Sequence, residues 1–144
     1  MGRLEEAVAD YSTAIGLEPR NANAFHNRGS TLDKMGRLEH AVADFSSALE
    51  LDPSNATTHN ARGLARDRAA GQPGVAPAGA TALREGAIAD FSAACGLEPD
   101  NPVFRHNRGF CYRCVHVPLG AHWRAREVAC TSVRSLKCFP PSHC

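Results

Sequence analysis

Along residues 36–53 the apolar side chains recur every three or four positions, at Leu38, Ala41, Val42, Phe45, Ala48 and Leu49. Glu39, Asp44 and Ser46 fall off that line. This spacing marks one face of an α-helix, and no strand-like alternation runs through it. The stretch 2–19, GRLEEAVADYSTAIGLEP, repeats the pattern, and 83–99, LREGAIADFSAACGLEP, carries it a third time. In each copy an aromatic ring (Tyr11, Phe45 or Phe91) stands between two alanines on the stripe. The small residues let a neighbouring helix approach, and the ring fills the space that remains. Pro19, Pro53 and Pro99 follow the copies and stop the helices. Proline lacks the N–H a helix needs and pushes the residue before it out of the helical region.

A second motif alternates with the first: FHNRG at 25–29, HNARG at 59–63 and RHNRG at 105–109. Each belongs to a further predicted helix, so Gly29, Gly63 and Gly109 sit inside helices. A mid-helix glycine costs about 1 kcal/mol against alanine. Its recurrence therefore calls for a packing reason, and close contact with the partner helix supplies one. From Ala7 to Ala41 is 34 residues, but from Ala41 to Ala87 is 46, an insertion of 12. The segment 70–80, AGQPGVAPAGA, holds no charge and no aromatic residue and reads as a flexible inserted loop.

Taken together, these residues resemble the tetratricopeptide repeat (TPR) family. Its pattern sets a small residue in the first helix of a hairpin, Ala-x3-aromatic-x2-Ala in the second, and proline near the repeat end. Gly29, Ala41, Phe45, Ala48 and Pro53 match it, and so do Gly63, Ala87, Phe91, Ala94 and Pro99. The resemblance covers residues 1–114 and implies an all-α solenoid of about six helices, its hairpins stacked as a right-handed superhelix. The expected division is a half repeat at 2–21, a repeat at 22–55, a repeat at 56–101 with the inserted loop 70–80, and a half repeat at 102–114. Residues 115–144, with cysteines and arginines but no repeat motif, form an irregular tail. Such arrays usually need about three repeats and polar caps. Two repeats and two halves predict marginal stability, with Phe104, Phe110 and Tyr112 short of a partner helix.

The chain departs from the family pattern before each glycine. Leucine is usual there, and this chain has Arg28, Arg62 and Arg108. Asp10, Asp44 and Asp90 each precede one of these arginines by 18 residues. The expectation is that each aspartate pairs with the arginine of the next helix and sets the packing of one repeat on another.

Composition narrows the function classes. The 144 residues carry a net charge of +1, which is not the basic surface of a nucleic-acid binder. No run approaches the ~18 apolar residues of a membrane span, and the charged start of the chain is not a secretory signal. The expectation is a cytoplasmic protein. The balance is uneven: residues 1–114 hold 12 Lys/Arg against 14 Asp/Glu, whereas Arg124, Arg126, Arg134 and Lys137 face only Glu127 in residues 115–144.

All six cysteines lie from Cys95 onward. Cys111-x2-Cys114 is half of a zinc knuckle, but Cys130, Cys138, His143 and Cys144 do not complete a closed tetrahedral spacing. A redox CxxC opens a helix after a strand, and no strand precedes this one. Free thiols in a reducing compartment are the plain reading. His26, His59 and His106 recur because the repeat does, and none has a catalytic partner at a recognisable spacing. Asn55-Ala-Thr57 fits a glycosylation sequon but falls where two repeats join. Trp123 among His122, Arg124 and Arg126 is too sparse a cluster for a nucleic-acid or lipid site.

No catalysis, metal or cofactor is therefore expected. The family resemblance implies a protein-interaction scaffold that takes a peptide or helical segment of another protein in a concave groove lined by first helices. By register the groove positions are His26, Ser30 and Asp33, then Asn60, Leu64 and Asp67, then His106, Phe110 and Arg113. Some family members grip the acidic C-terminus of chaperones with a Lys/Asn/Arg clamp. His26, Ser30 and Asn60 stand where that clamp needs other residues, which argues against a chaperone-tail clamp here. The alternatives are a metal- or redox-linked regulator using the C-terminal cysteines, or a truncated product with little independent function.

Overall fold

A computed structural model describes residues 2–116. They form six helices in the order α1 (Gly2–Leu17), α2 (Ala22–Lys34), α3 (Leu38–Leu51), α4 (Ala56–Ala70), α5 (Pro77–Leu97) and α6 (Pro102–His116). The all-α solenoid expected from the periodicity is what the chain adopts. The second-helix stripes became α1, α3 and α5, and the glycine motifs lie in α2, α4 and α6.

Helix ends follow local chemistry. Three segments of the form Pro-x-Asn join one hairpin to the next. Asn21 caps α2 by accepting from the Ala24 N–H at 3.0 Å, and Asn55 caps α4 by accepting from the Thr58 N–H at 2.9 Å. Asn101 accepts from the Val103 N–H at 3.1 Å as α6 begins. An asparagine cap satisfies an N–H that the first turn leaves orphaned, worth about 1 kcal/mol. Asn55 is thus committed to a cap inside the sequon. Within the first hairpin the chain reverses over residues 35–37, where Gly36 takes φ +76°. That left-handed conformation suits glycine.

The insertion is handled differently from expectation. Only residues 71–76 lie outside helix; Ala70 closes α4 and Pro77 opens α5. The rest winds into α5, which has 21 residues against 14 in α3. Proline at the first helical position is preorganised for a start, and the alanines behind it are the best helix formers. A segment read as a loop for its Gly and Pro is therefore half helix.

Consecutive helices pack in order along the stack. Of the first helices, α4 also touches α2 and α6, whereas among the described residues the backbones of α1, α3 and α5 do not approach one another closely. The stack is therefore drawn in on the first-helix side and splayed on the other.

The core is made of the predicted stripe. Ala41, Phe45 and Ala48 are buried in α3, as are Ala87, Phe91 and Ala94 in α5. One cluster joins Leu32, Ala41 and Phe45 to Ala65 of the next hairpin, with Val8, Val42 and Ala61 against it. A second joins Ala94 and Cys95 to Ala56 and Phe104. A third joins Ala87 and Phe91 to Cys111. Phe104 was expected to lack a partner, yet it is buried, because it packs back on α4 and α5. Phe110 is half-buried, and Tyr112 is 44% exposed. Two of the glycines lie close against the partner helix as anticipated, and what they meet is its ring: a Cβ on Gly29 would stand 3.1 Å from Phe45, and one on Gly63 would stand 2.7 Å from Phe91.

Candidate binding face

Each core arginine is a fork with two directions. Arg28 donates from Nε and its terminal nitrogen to both oxygens of Asp44, each at 2.7 Å, and to the Ser12 hydroxyl at 3.1 Å. Arg62 donates to Asp90 at 2.7 Å and to the Ser46 hydroxyl at 3.1 Å. Arg66, one turn on, also reaches Asp90 at 2.7 Å and the Gly86 carbonyl at 3.2 Å. The expected pairing across 18 residues is therefore replaced. Each arginine binds the aspartate of its own hairpin, ahead of it in the chain, and only a neutral serine of the hairpin behind. The geometry explains why: the Asp-aromatic-Ser run places the carboxylate facing its hairpin partner and the hydroxyl half a turn round, towards the next unit. Asp44 and Asp90 are buried, so a bidentate, charge-assisted contact is what makes their burial tolerable. The hydrogen bonds it donates to Asp44 hold the Arg28 guanidinium more firmly protonated than usual.

The nine expected groove positions all lie on first helices, and the structure ties several of them to the neighbouring unit. His26 is 2.8 Å from the Thr58 hydroxyl, and burial lowers its pKa. Asn60 accepts from the Asn107 amide at 2.8 Å. Asp33 is paired with Arg68. Together these form a polar ladder from α2 to α4 to α6. Asp67 faces Arg84 of α5 at 3.5 Å, so it turns into its own hairpin. Ser30 and Phe110 are half-buried, and His106 and Arg113 are exposed. Leu64, 40% exposed, is the apolar side chain left open in the middle helix. The sequence reading missed Thr58, Arg68, Arg84 and Asn107. Register could have found two of them: Asn107 belongs to the HNRG motif, and Thr58 sits at the buried position held by Ala24 and Phe104 in the other units.

Two shallow, open depressions lie elsewhere, one lined by Glu98, Pro99, Asp100, Asn101 and Pro102, the other by Glu18 to Asn23, both at hairpin junctions. Cys111 is buried, and its thiol is pushed up to about 12 by burial and by the adjacent Asp67 carboxylate, to which it hydrogen-bonds. A thiol so held is a poor nucleophile and a poor redox centre. Among the described residues no three His, Cys, Asp or Glu side chains are placed to share a metal ion, and no helix is long and apolar enough to cross a membrane. Cys130, Cys138, His143, Cys144 and the cluster around Trp123 lie outside the described residues.

Residues 1–36 match the family described as TPR repeat, and residues 22–55 match the family described as tetratricopeptide repeat. No curated protein matches the chain. Among solved structures, it is similar to the first TPR of Spaghetti (RPAP3) bound to the HSP90 peptide SRMEEVD, with TM-score 0.68 and 22% identity over 81% of this chain and 82% of that one. It is similar to the Arabidopsis OM64 TPR domain, with TM-score 0.66 and 25% identity over 78% and 84%. It is also similar to the second TPR domain of human RPAP3 in complex with the HSP70 peptide SGPTIEEVD, with TM-score 0.64 and 25% identity over 77% and 82%.

Proposed function

Because this chain is a tetratricopeptide repeat protein, we propose that it is a non-catalytic scaffold that holds a peptide or helical segment of a partner protein against α2, α4 and α6. The observation that carries this reading is the drawn-in row of first helices. The middle helix α4 meets both α2 and α6 at a few positions, and side-chain hydrogen bonds from His26 to Thr58 and from Asn107 to Asn60 tie the three together. A rigid, preordered surface loses little conformational freedom when it binds. Two structural neighbours carry bound HSP90 and HSP70 peptides. In this reading Leu64 is the apolar anchor, Ser30, His106, Phe110 and Arg113 offer free contacts, and His26, Asp33, Asn60 and Asp67 contribute mainly by holding the row in place.

Both neighbours' peptides end in the acidic run EEVD. On this chain the corresponding face presents Asp33 and Asp67, whose charges are already spent on Arg68 and Arg84. The proposal is therefore a partner segment of mixed polar and apolar character, not a chaperone tail. We assign the protein to the cytoplasm, where buried reduced thiols such as Cys95 and Cys111 persist. The division into repeats at 22–55 and 56–101 flanked by half repeats, with a separate tail from 115, belongs to the same reading. The regulator alternative gains nothing from Cys111, whose thiolate is disfavoured.

The test is a peptide-display selection on the full chain, followed by titration of the selected peptide and of SRMEEVD. We expect the selected peptide to bind saturably, Leu64→Glu to weaken it at least about tenfold, and SRMEEVD to bind weakly at best. Selected peptides indifferent to Leu64→Glu would overturn the assignment of this face. Saturable binding of SRMEEVD would restore the chaperone-tail reading.

A further inference from the structure

The two ends of the described stack are complementary to each other. In the interior, a first helix offers an arginine and a glycine, and the following second helix offers an aspartate and a ring. Arg28 and Gly29 take Asp44 and Phe45; Arg62 and Gly63 take Asp90 and Phe91. Helix α6 repeats the first half of this arrangement, and among the described residues nothing is seated in it: Arg108 has no acidic partner there, and a Cβ on Gly109 would meet none of their atoms within 4 Å. Helix α1 repeats the second half. Asp10 is exposed and has no ion pair among the described residues. Tyr11, in the register of Phe45 and Phe91, is only half-buried, and α1 contains no buried residue. Ala7 and Ala14 complete the same stripe that Ala41 and Ala48 bury in α3.

We propose that copies of this chain associate end to end, α1 of one copy seated on α6 of another. Asp10 then enters the fork of Arg108, and Tyr11 lies over Gly109. His106 stands beside the incoming ring as His26 stands beside Phe45, whose centroids are 5.6 Å apart. The occupant is a second copy because one surface has the charge and the void that the other surface fills. This contact is heterologous: each junction leaves one α1 and one α6 open. Association is therefore open-ended and does not stop at a dimer. It uses the two ends of the stack and leaves α2 and the middle helix α4 clear; of the binding-face residues named above, His106 of α6 borders the junction.

Sedimentation of the full chain in reducing buffer tests the proposal. The expected result is a weight-average mass that climbs past the dimer with concentration and falls with added salt. Asp10→Arg and Arg108→Asp, each with unchanged helical circular dichroism, should each weaken association at least about tenfold, as loss of a desolvated charge pair does. Their equimolar mixture should restore it. Arg108 of the first variant still meets Asp10 of the second, and the reversed pair joins the remaining ends. Gly109→Leu should block the junction while leaving α6 helical. A chain that stays monomeric overturns the proposal, as does a closed dimer, or association that both charge variants leave intact.

Discussion

The two complete hairpins reach the same interior by different routes. In the first, three residues join α2 to α3; in the second, six join α4 to an α5 that is longer by seven residues. Yet Ala41, Phe45 and Ala48 are as buried as Ala87, Phe91 and Ala94. The hairpin is therefore specified by which side chains meet, and the length of chain between them is nearly immaterial. Loop closure costs only about 0.6 kcal/mol per doubling of length, which contacts of this kind easily outweigh. The difference shows in the polar contacts. Asp44 serves one arginine, whereas Asp90 serves Arg62 and Arg66 and has His59 at 3.7 Å. The hairpin with the longer connection has the denser network.

If side-chain meeting specifies the hairpin, the largest effects come from the rings. Phe45→Ala and Phe91→Ala should each cost about 3–5 kcal/mol, measured as the shift of the urea midpoint with unchanged slope. A Phe91→Ala cost far below its counterpart would mean that the inserted hairpin is not held as the regular one is. The carboxylates should separate the two. Asp90→Ala strands two half-buried guanidinium groups and should cost about 3 kcal/mol, at the low end for a broken buried pair. Asp44→Ala strands one, and should cost about 1–2 kcal/mol, between the buried case and a surface pair. Equal losses would refute the claim that the longer hairpin leans harder on its ion network.

Much of this is legible in the sequence. The six helices, their proline stops and the close approach of the partner helix at the glycines follow from spacing, because a helical stripe fixes which residues share a face. The partner of each arginine did not follow. A constant 18-residue separation from the preceding aspartate is kept by the insertion, which falls inside the hairpin and so lengthens only the arginine-to-next-aspartate distance. The spacing that stayed constant pointed to the wrong pair, since both carboxylates lie within an arginine's reach in sequence and only the helix face decides between them. Residues 70–80 were opaque for another reason: Gly and Pro signal a break, but Pro77 opens a helix as readily as it closes one. Of the candidate face, the first-helix positions were legible from register. Which of them would be used up by Thr58, Arg68, Arg84 and Asn107 depended on the neighbouring hairpin.

The glycines give a finer comparison. Alanine in place of a mid-helix glycine gains about 1 kcal/mol of helix propensity, and overpacking costs about 1–3 kcal/mol. At Gly29 the new methyl meets Phe45 at 3.1 Å and the Ala41 carbonyl at 3.2 Å, a crowding of a few tenths of an ångström. At Gly63 it meets Phe91 at 2.7 Å, so the ring must move. Gly63→Ala should therefore be the more destabilising by about 1 kcal/mol. The reverse order in thermal or urea unfolding would show that Phe91 has room to shift and that the second hairpin is the looser one.

The smallest difference is one of pH. In the first unit His26 bridges to Thr58; in the second, the same register position is Asn60, which bridges to Asn107 and does not titrate. Burial lowers the pKa of His26 below its ordinary value of 6.5. The unfolded chain therefore takes up a proton at this residue before the folded chain does. The contribution of neutral His26 is complete above the unfolded pKa and fades as pH falls through the range below it, because ∂ΔG/∂pH is positive wherever the unfolded state binds more protons. His26→Asn copies the second unit into the first and keeps a group able to hydrogen-bond to Thr58. It should match the parent chain in acid and lack the parent's rise in stability as pH climbs to neutrality. Parallel stability curves for the two proteins between mildly acidic and neutral pH would mean that His26 is solvated in the folded chain and that the ladder in the first unit is no more closed to water than an exposed surface.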